Sequence, residues 1–168
     1  MSVPAEPAGL WRRLGALFYD GLLLAAVLFL GTLVLLPFSG GESITPRQSG
    51  AWGYAYRGWI ALLVAGFFGP SWTRRGQTLG MMSWKIRLER ADGGLLRWRG
   101  ALLRLAIGSL AALGALAGLL ALARGGTAGR AWGALLLLPA AANYLWMAFD
   151  RETRTLQDRL SGSRMLRG

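Results

Sequence analysis

Three side chains in the most apolar parts of this 168-residue chain have types that do chemistry: Asp20, Arg104 and Asn143. Asp20 stands in "RRLGALFYDGLLLAAVLFLG", a run that otherwise reads as membrane-spanning helix. An ionisable group at that depth is costly and is held by a partner or by water. It lies six residues past the start of its apolar run, roughly 9 Å in at about 1.5 Å per residue. Asn143 in "PAAANYLWMAFD" reaches the same estimated depth from a helix running the other way. Arg104 opens a further apolar run. It is the expected partner of Asp20, because helical side chains lean toward the N-terminus and Arg13, one turn-pair before Asp20, leans away from it. Depth therefore predicts a cluster of Asp20, Arg104 and Asn143, with Arg13 contributing charge. Such a centre can handle protons or ions, or it can simply orient helices.

Other chemistries are closed. The chain has no Cys and no His, which removes disulfides, thiol chemistry, Cys/His metal sites and histidine-based triads. No phosphate loop, nucleophile elbow or zinc-protease motif occurs. Nothing supports an enzyme, and no cofactor or metal is expected.

The elements that must carry these residues are apolar helices. Hydrophobic residues make up 54% of the chain and charged residues 16%, against roughly 25% charged in an ordinary soluble domain. Crossing a bilayer takes about 20 apolar residues. Four runs qualify, about 14–36, 51–72, 105–123 and 131–149; the second is the weakest, because Arg57 stands near its start and Pro70 near its end. The predicted fold is all-α, four spans with both termini cytoplasmic, an inner loop over 73–104 and a tail over 150–168. The first span is longer than a signal-peptide core and is expected to be retained.

Charge sets the orientation. The net charge is +11, and all but one of the 19 cations are arginine. Placing the N-terminus, the inner loop and the tail on one side puts fifteen cations there; Arg47, Arg57, Arg124 and Arg130 fall on the other. That asymmetry marks the cytoplasmic side. It also explains the basicity without nucleic acid, and points to anionic headgroups as the surface partner. Trp11, Trp72 and Trp146 fall at the inner interface and Phe38, Trp52, Tyr54 and Trp132 at the outer.

The loops differ in kind. "SGGESITPRQSG" is a loosely held outer connection, and "RGGTAGR" is a tight turn between antiparallel neighbours. In "MSWKIRLERADGGLLRWRG", Trp84, Ile86 and Leu88 alternate with Lys85, Arg87 and Glu89 before an Asp-Gly turn. That pattern predicts a small β-hairpin or amphipathic patch at the membrane surface. In "AIGSLAALGALAGLLALA" small residues, including Gly114 and Gly118, cover one broad side and allow close helix approach.

These blocks together resemble the RDD family of bacterial membrane proteins, named for one Arg and two Asp in separated motifs. "WRRLGALFYDG" is similar to the first motif, with Arg13 and Asp20 in the Arg and Asp positions. "RRGQTLGMMSWKIRLERADGG" followed by "ALLR" resembles the central block, which ends in Arg104. "TRTLQDRLSGSRML" resembles the closing block, whose Asp maps to Asp158. The likeness covers about residues 10–166. It implies that Asp158 matters; a tail folded back under the bundle brings Asp158 to Arg13 or Arg104, and a faint likeness between "QTLGMMSWKIRL" and "RTLQDRLSGSRML" points to the tail packing beside the inner loop. The family resemblance implies a multi-pass protein of the bacterial inner membrane, with cation/proton exchange the activity linked to some members. Three positions depart from the family's habit: Gln157 stands where His is usual, Ser163 where Thr is usual, and Met81 where a basic residue often follows "TLG". Two functional readings follow. One is ion- or proton-coupled transport through the Asp–Arg cluster, in a homo-oligomer. The other is a non-transporting scaffold or assembly factor whose basic inner face holds a membrane partner or anionic lipid.

Overall fold

The computed structural model describes residues 6–39 and 50–168, so most of the outer loop, with Arg47, lies outside the described residues. Helix α1 (Leu10–Leu35) runs on into a 3-10 turn, Leu36–Ser39; α2 (Ala51–Pro70) continues through a turn of π-helix, Ser71–Arg75. A short α3 (Leu79–Ser83) leads to strand β1 (Ile86–Arg90). Long helices α4 (Trp98–Arg124) and α5 (Gly126–Phe149) follow, then a short α6 (Leu156–Leu160) and strand β2 (Ser163–Arg167).

The long helices carry their apolar residues outward. Phe18, Leu22, Phe29, Leu110, Leu113 and Leu145 are all exposed. Three helical segments, Leu10–Phe38, Trp98–Arg124 and Gly126–Phe149, are long and apolar enough to cross a membrane, yet at most 11% of their most apolar stretches is buried within the protein. A helix that shows hydrocarbon to its surroundings belongs in lipid. α2 is as long as a span needs, 20 residues, but Trp52, Tyr54, Tyr56, Arg57 and Trp59 dilute its apolarity.

Close packing is concentrated at one end, in a cap built from α3, β1, α6 and β2. Ala8, Ala16, Trp72, Met81, Ile86, Leu88, Leu96, Ala101 and Met165 form its buried core. Ile86 and Leu88, the apolar half of the alternating pattern, are wholly buried. Trp72, expected in the interfacial belt, is instead part of this core, stacked on Phe68. The alternation does form a strand, but not a hairpin within the loop. β1 pairs antiparallel with β2 of the tail, Ile86 opposite Arg167 and Arg90 opposite Ser163. Residues after the Asp-Gly turn go instead into the start of α4, whose Trp98 packs on Gly69 of α2. The N-terminal segment adds a third rung: Ala8 N–H donates to the Met165 carbonyl and Arg167 N–H to the Glu6 carbonyl. The sheet thus ties the front of α1, the inner loop and the tail into one unit.

Gly76 makes the turn from the π-helix into the cap possible. Its φ of +67° is left-handed, and an added Cβ would lie 2.9 Å from the Leu88 carbonyl oxygen. The small residues of α4 are used by α5: Gly118 and Gly133 approach each other's backbone, and Gly114 lies against the Leu136 carbonyl. α1 packs on α2 and α3 rather than flat along α4. The space left between α1 and the α4–α5 pair is a cavity.

Candidate functional site

Two charged centres meet at this cavity, and they are partnered differently from the pair predicted by depth. Arg13, Asp20, Arg104, Asn143 and Asp158 are all buried, none more than 4% exposed. Asp20 and Arg104, however, do not bond each other. Asp20 accepts from the Thr78 hydroxyl at 2.5 Å through one oxygen and from the Gly80 N–H at 2.8 Å through the other. Arg104 turns to the tail, where its Nη1 donates to Asp158 and, at 2.8 Å, to the Ser163 hydroxyl. The physical reason is the gap: α1 and α4 stand apart across the cavity, while α3 lies directly against α1.

The α3 turn is built to present those donors. Thr78 is its N-cap, accepting from the Met81 N–H at 3.2 Å while donating to Asp20. Gly80 lets α3 come close, since a Cβ there would run into the Ala16 carbonyl and lie 2.7 Å from the Asp20 carboxyl carbon. A single carboxylate thus accepts two donors from one short turn.

Asp158 is the centre of the second group. Thr155 caps α6 and forms a capping box with it: Asp158 N–H donates to the Thr155 hydroxyl and Thr155 N–H to Asp158 Oδ2, both at 3.1 Å. The same carboxylate accepts from Arg13 and from Arg104, one on each oxygen. Arg13 also donates to the carbonyls of Ala8 at 2.8 Å and Thr153 at 3.2 Å. Its lean toward the N-terminus therefore brings it into contact with the tail. Burial pushes the Asp158 carboxyl up, but the Arg104 and Arg13 guanidiniums outweigh it and hold it below the ordinary 3.8. The three residues form a clasp that fixes the tail across the ends of α1 and α4. Asn143 joins it indirectly, accepting at 2.8 Å from the N–H of Gln157. Gln157 in turn donates its amide to the Arg104 carbonyl at 3.0 Å.

The cavity has a volume of about 370 Å³. Ala16, Asp20 and Leu24 line it from α1, Phe68 from α2, Arg104, Ser109 and Ala112 from α4, and Asn143 and Tyr144 from α5. Thr155, Gln157 and Met165 close it at the cap. Sequence reasoning from depth missed Thr78, Gly80, Thr155 and Ser163. The signal for one pair was present in "TLQD", Thr155 three residues before Asp158, a capping-box spacing.

A bundle of lipid-facing helices, with Arg13, Asp20, Arg104 and Asp158 buried at a tied cap, defines a multi-pass membrane protein. The family model described as the RDD family matches residues 7–162, and the chain belongs to that family. No curated protein and no solved structure matches it.

Proposed function

We propose that the chain exchanges a monovalent cation for a proton across the bacterial inner membrane, with Asp20 as the group that carries them. The observation behind this reading is the contrast between the two buried carboxylates. Asp158 is neutralised twice over by guanidiniums. Asp20 accepts only neutral donors and borders the cavity. A buried carboxylate without a cation of its own favours taking up a proton or a metal cation, which is what an exchanger requires.

The reading includes four crossings with both termini cytoplasmic. α2 lies antiparallel along α1: Trp59 donates to the Gly31 carbonyl at 3.0 Å near one end of the bundle, and Gly69 meets Trp98 at the other. At 20 residues, about 30 Å, α2 has the length to cross beside α1, and the reading takes it as the fourth span. The cation asymmetry then sets the cap inside. A chain of 168 residues leaves little room for a two-sided path in one copy, so the reading includes a homo-oligomer.

The test is purified protein in proteoliposomes, reading internal pH after a Na⁺, K⁺ or Li⁺ gradient is imposed. Asp20→Asn keeps an oxygen for the Gly80 N–H and turns an amide NH₂ toward the Thr78 hydroxyl oxygen, while losing the charge. The expected outcome is exchange by the wild type and none by the folded variant. A wild type silent toward all three cations ends the proposal.

A second reading has its own observation. Arg74, Arg75, Arg97, Arg99 and Arg151 are exposed near the cap and form no ion pair among the described residues. A scaffold that docks a partner protein or anionic lipid on this face predicts a co-purifying component that is lost when these arginines are replaced by Gln.

A further inference from the structure

The side of the cavity opposite Asp20 carries polar groups that the fold leaves unused. Arg104 makes both its bonds, to Asp158 and Ser163, through Nη1; its Nη2 meets no acceptor among the described residues. The hydroxyls of Ser109 and Tyr144 have no hydrogen-bond partner among the described residues either. Asn143 uses its oxygen on Gln157, and its amide NH₂ finds no acceptor among the described residues. Tyr144 lines the same cavity as Arg104 and Arg13 of the clasp.

These groups are donors or can act as donors, and they border a void whose other walls are largely apolar, Leu24, Phe68, Ala112 and Ala115 among them. Donors facing hydrocarbon without acceptors are costly, most of all on a guanidinium. The clasp itself holds two guanidiniums against one carboxylate, leaving one positive charge in excess. Asp20 lies across the cavity, held by Thr78 and Gly80, so a ligand that fits the clasp side brings acceptor oxygens, a negative charge to meet this local excess and an apolar body.

We propose that the cavity binds a single-chain anionic amphiphile, its carboxylate or phosphate head on Arg104, Tyr144 and Asn143 and its chain along Ala112 and Ala115. The volume is within the range of small-molecule sites, roughly 300–1,000 Å³. This inference goes beyond the exchange reading and survives its failure. Exchange needs the charge of Asp20; amphiphile binding needs the donors across the cavity from it.

The experiment is equilibrium binding of radiolabelled dodecanoate to the full chain in phosphatidylcholine nanodiscs, with dodecyl phosphate and dodecanol as competitors. The expected result is saturable binding of one dodecanoate per chain, with dodecanol at least tenfold weaker. Dodecanoate as the tighter acid assigns a free fatty acid; dodecyl phosphate as the tighter one assigns a lipid phosphate head. Tyr144→Phe, which removes a hydroxyl the fold does not use, weakens binding about tenfold. Ala112→Leu, which fills the chain's path, abolishes it. Asp20→Asn binds no more weakly than wild type, since it removes a like charge. Equal affinity for dodecanol and the acids overturns the proposal, as does undiminished binding by Tyr144→Phe. Should Ala112→Leu not fold, those two measurements still decide.

Discussion

Asp158→Asn isolates the clasp. The carboxylate is wholly buried and accepts from Arg13, Arg104 and the Thr155 N–H on its two oxygens. The amide has nearly the same shape but one oxygen. It turns an NH₂ toward at least one of these donors and leaves two buried guanidiniums without a counter-charge. Breaking a buried ion pair from one side costs about 3–5 kcal/mol, against a total stability of roughly 5–15 kcal/mol. The tail should therefore detach while the spans persist. SDS-titrated unfolding in detergent micelles measures the loss, and hydrogen exchange over 156–167 locates it. The pH dependence gives a second check. Because the folded carboxyl titrates below 3.8, its contribution is fully present above that value and is lost as pH falls through the folded pKa. The wild type therefore loses the clasp below about pH 3.8, whereas the Asn variant shows no step there. A variant within about 1 kcal/mol of wild type, with protected 156–167 amides, refutes the account of the clasp.

Gly80→Ala forces a Cβ against the Ala16 carbonyl and the Asp20 carboxyl. It should expose residues 78–83 to hydrogen exchange and cost about 1–3 kcal/mol, the scale of overpacking; unchanged protection there argues against the Asp20 contact. Gly118→Leu pushes into Gly133 and Leu137 of α5 and should lower the melting temperature in micelles by several degrees through the same mechanism. The chain has no cysteine, so single substitutions report topology directly. Gly125→Cys should react with an impermeant maleimide from outside the cell, and Gly94→Cys only after permeabilisation; the reverse pattern inverts the orientation.

The helices were legible because a bilayer imposes a simple rule, about 20 apolar residues per crossing. Runs 105–123 and 131–149 sit inside α4 and α5, and the alternation at 84–89 overlaps strand Ile86–Arg90, with Trp84 and Lys85 in the turn before it. What the pattern could not supply was β1's partner. A strand of five residues specifies a face, not a neighbour, and the neighbour here comes from the tail, over 70 residues away. Gly114 and Gly118 marked a close approach, but small residues do not name the helix that approaches, and here it is α5.

The polar centre shows where depth arguments stop. Matching Asp20 with Arg104 by distance from the boundary assumes that the partner of a buried charge lies on another span. Here the cap supplies it instead: α3 brings Thr78 and Gly80 to Asp20, and α6 brings Asp158 to Arg13 and Arg104. Short helices of five residues have no apolar period to read, only their caps, Thr78 and Thr155. Both caps bond an aspartate, one from α1 and one from their own helix. Two carboxylates of one chain thereby receive opposite treatment, Asp158 fully matched by charge and Asp20 by neutral dipoles alone. On the proposed exchange, Asp20 is the carboxyl that takes up the proton or cation, so Asp20→Asn and Asp158→Asn predict different losses, activity in one and folding in the other.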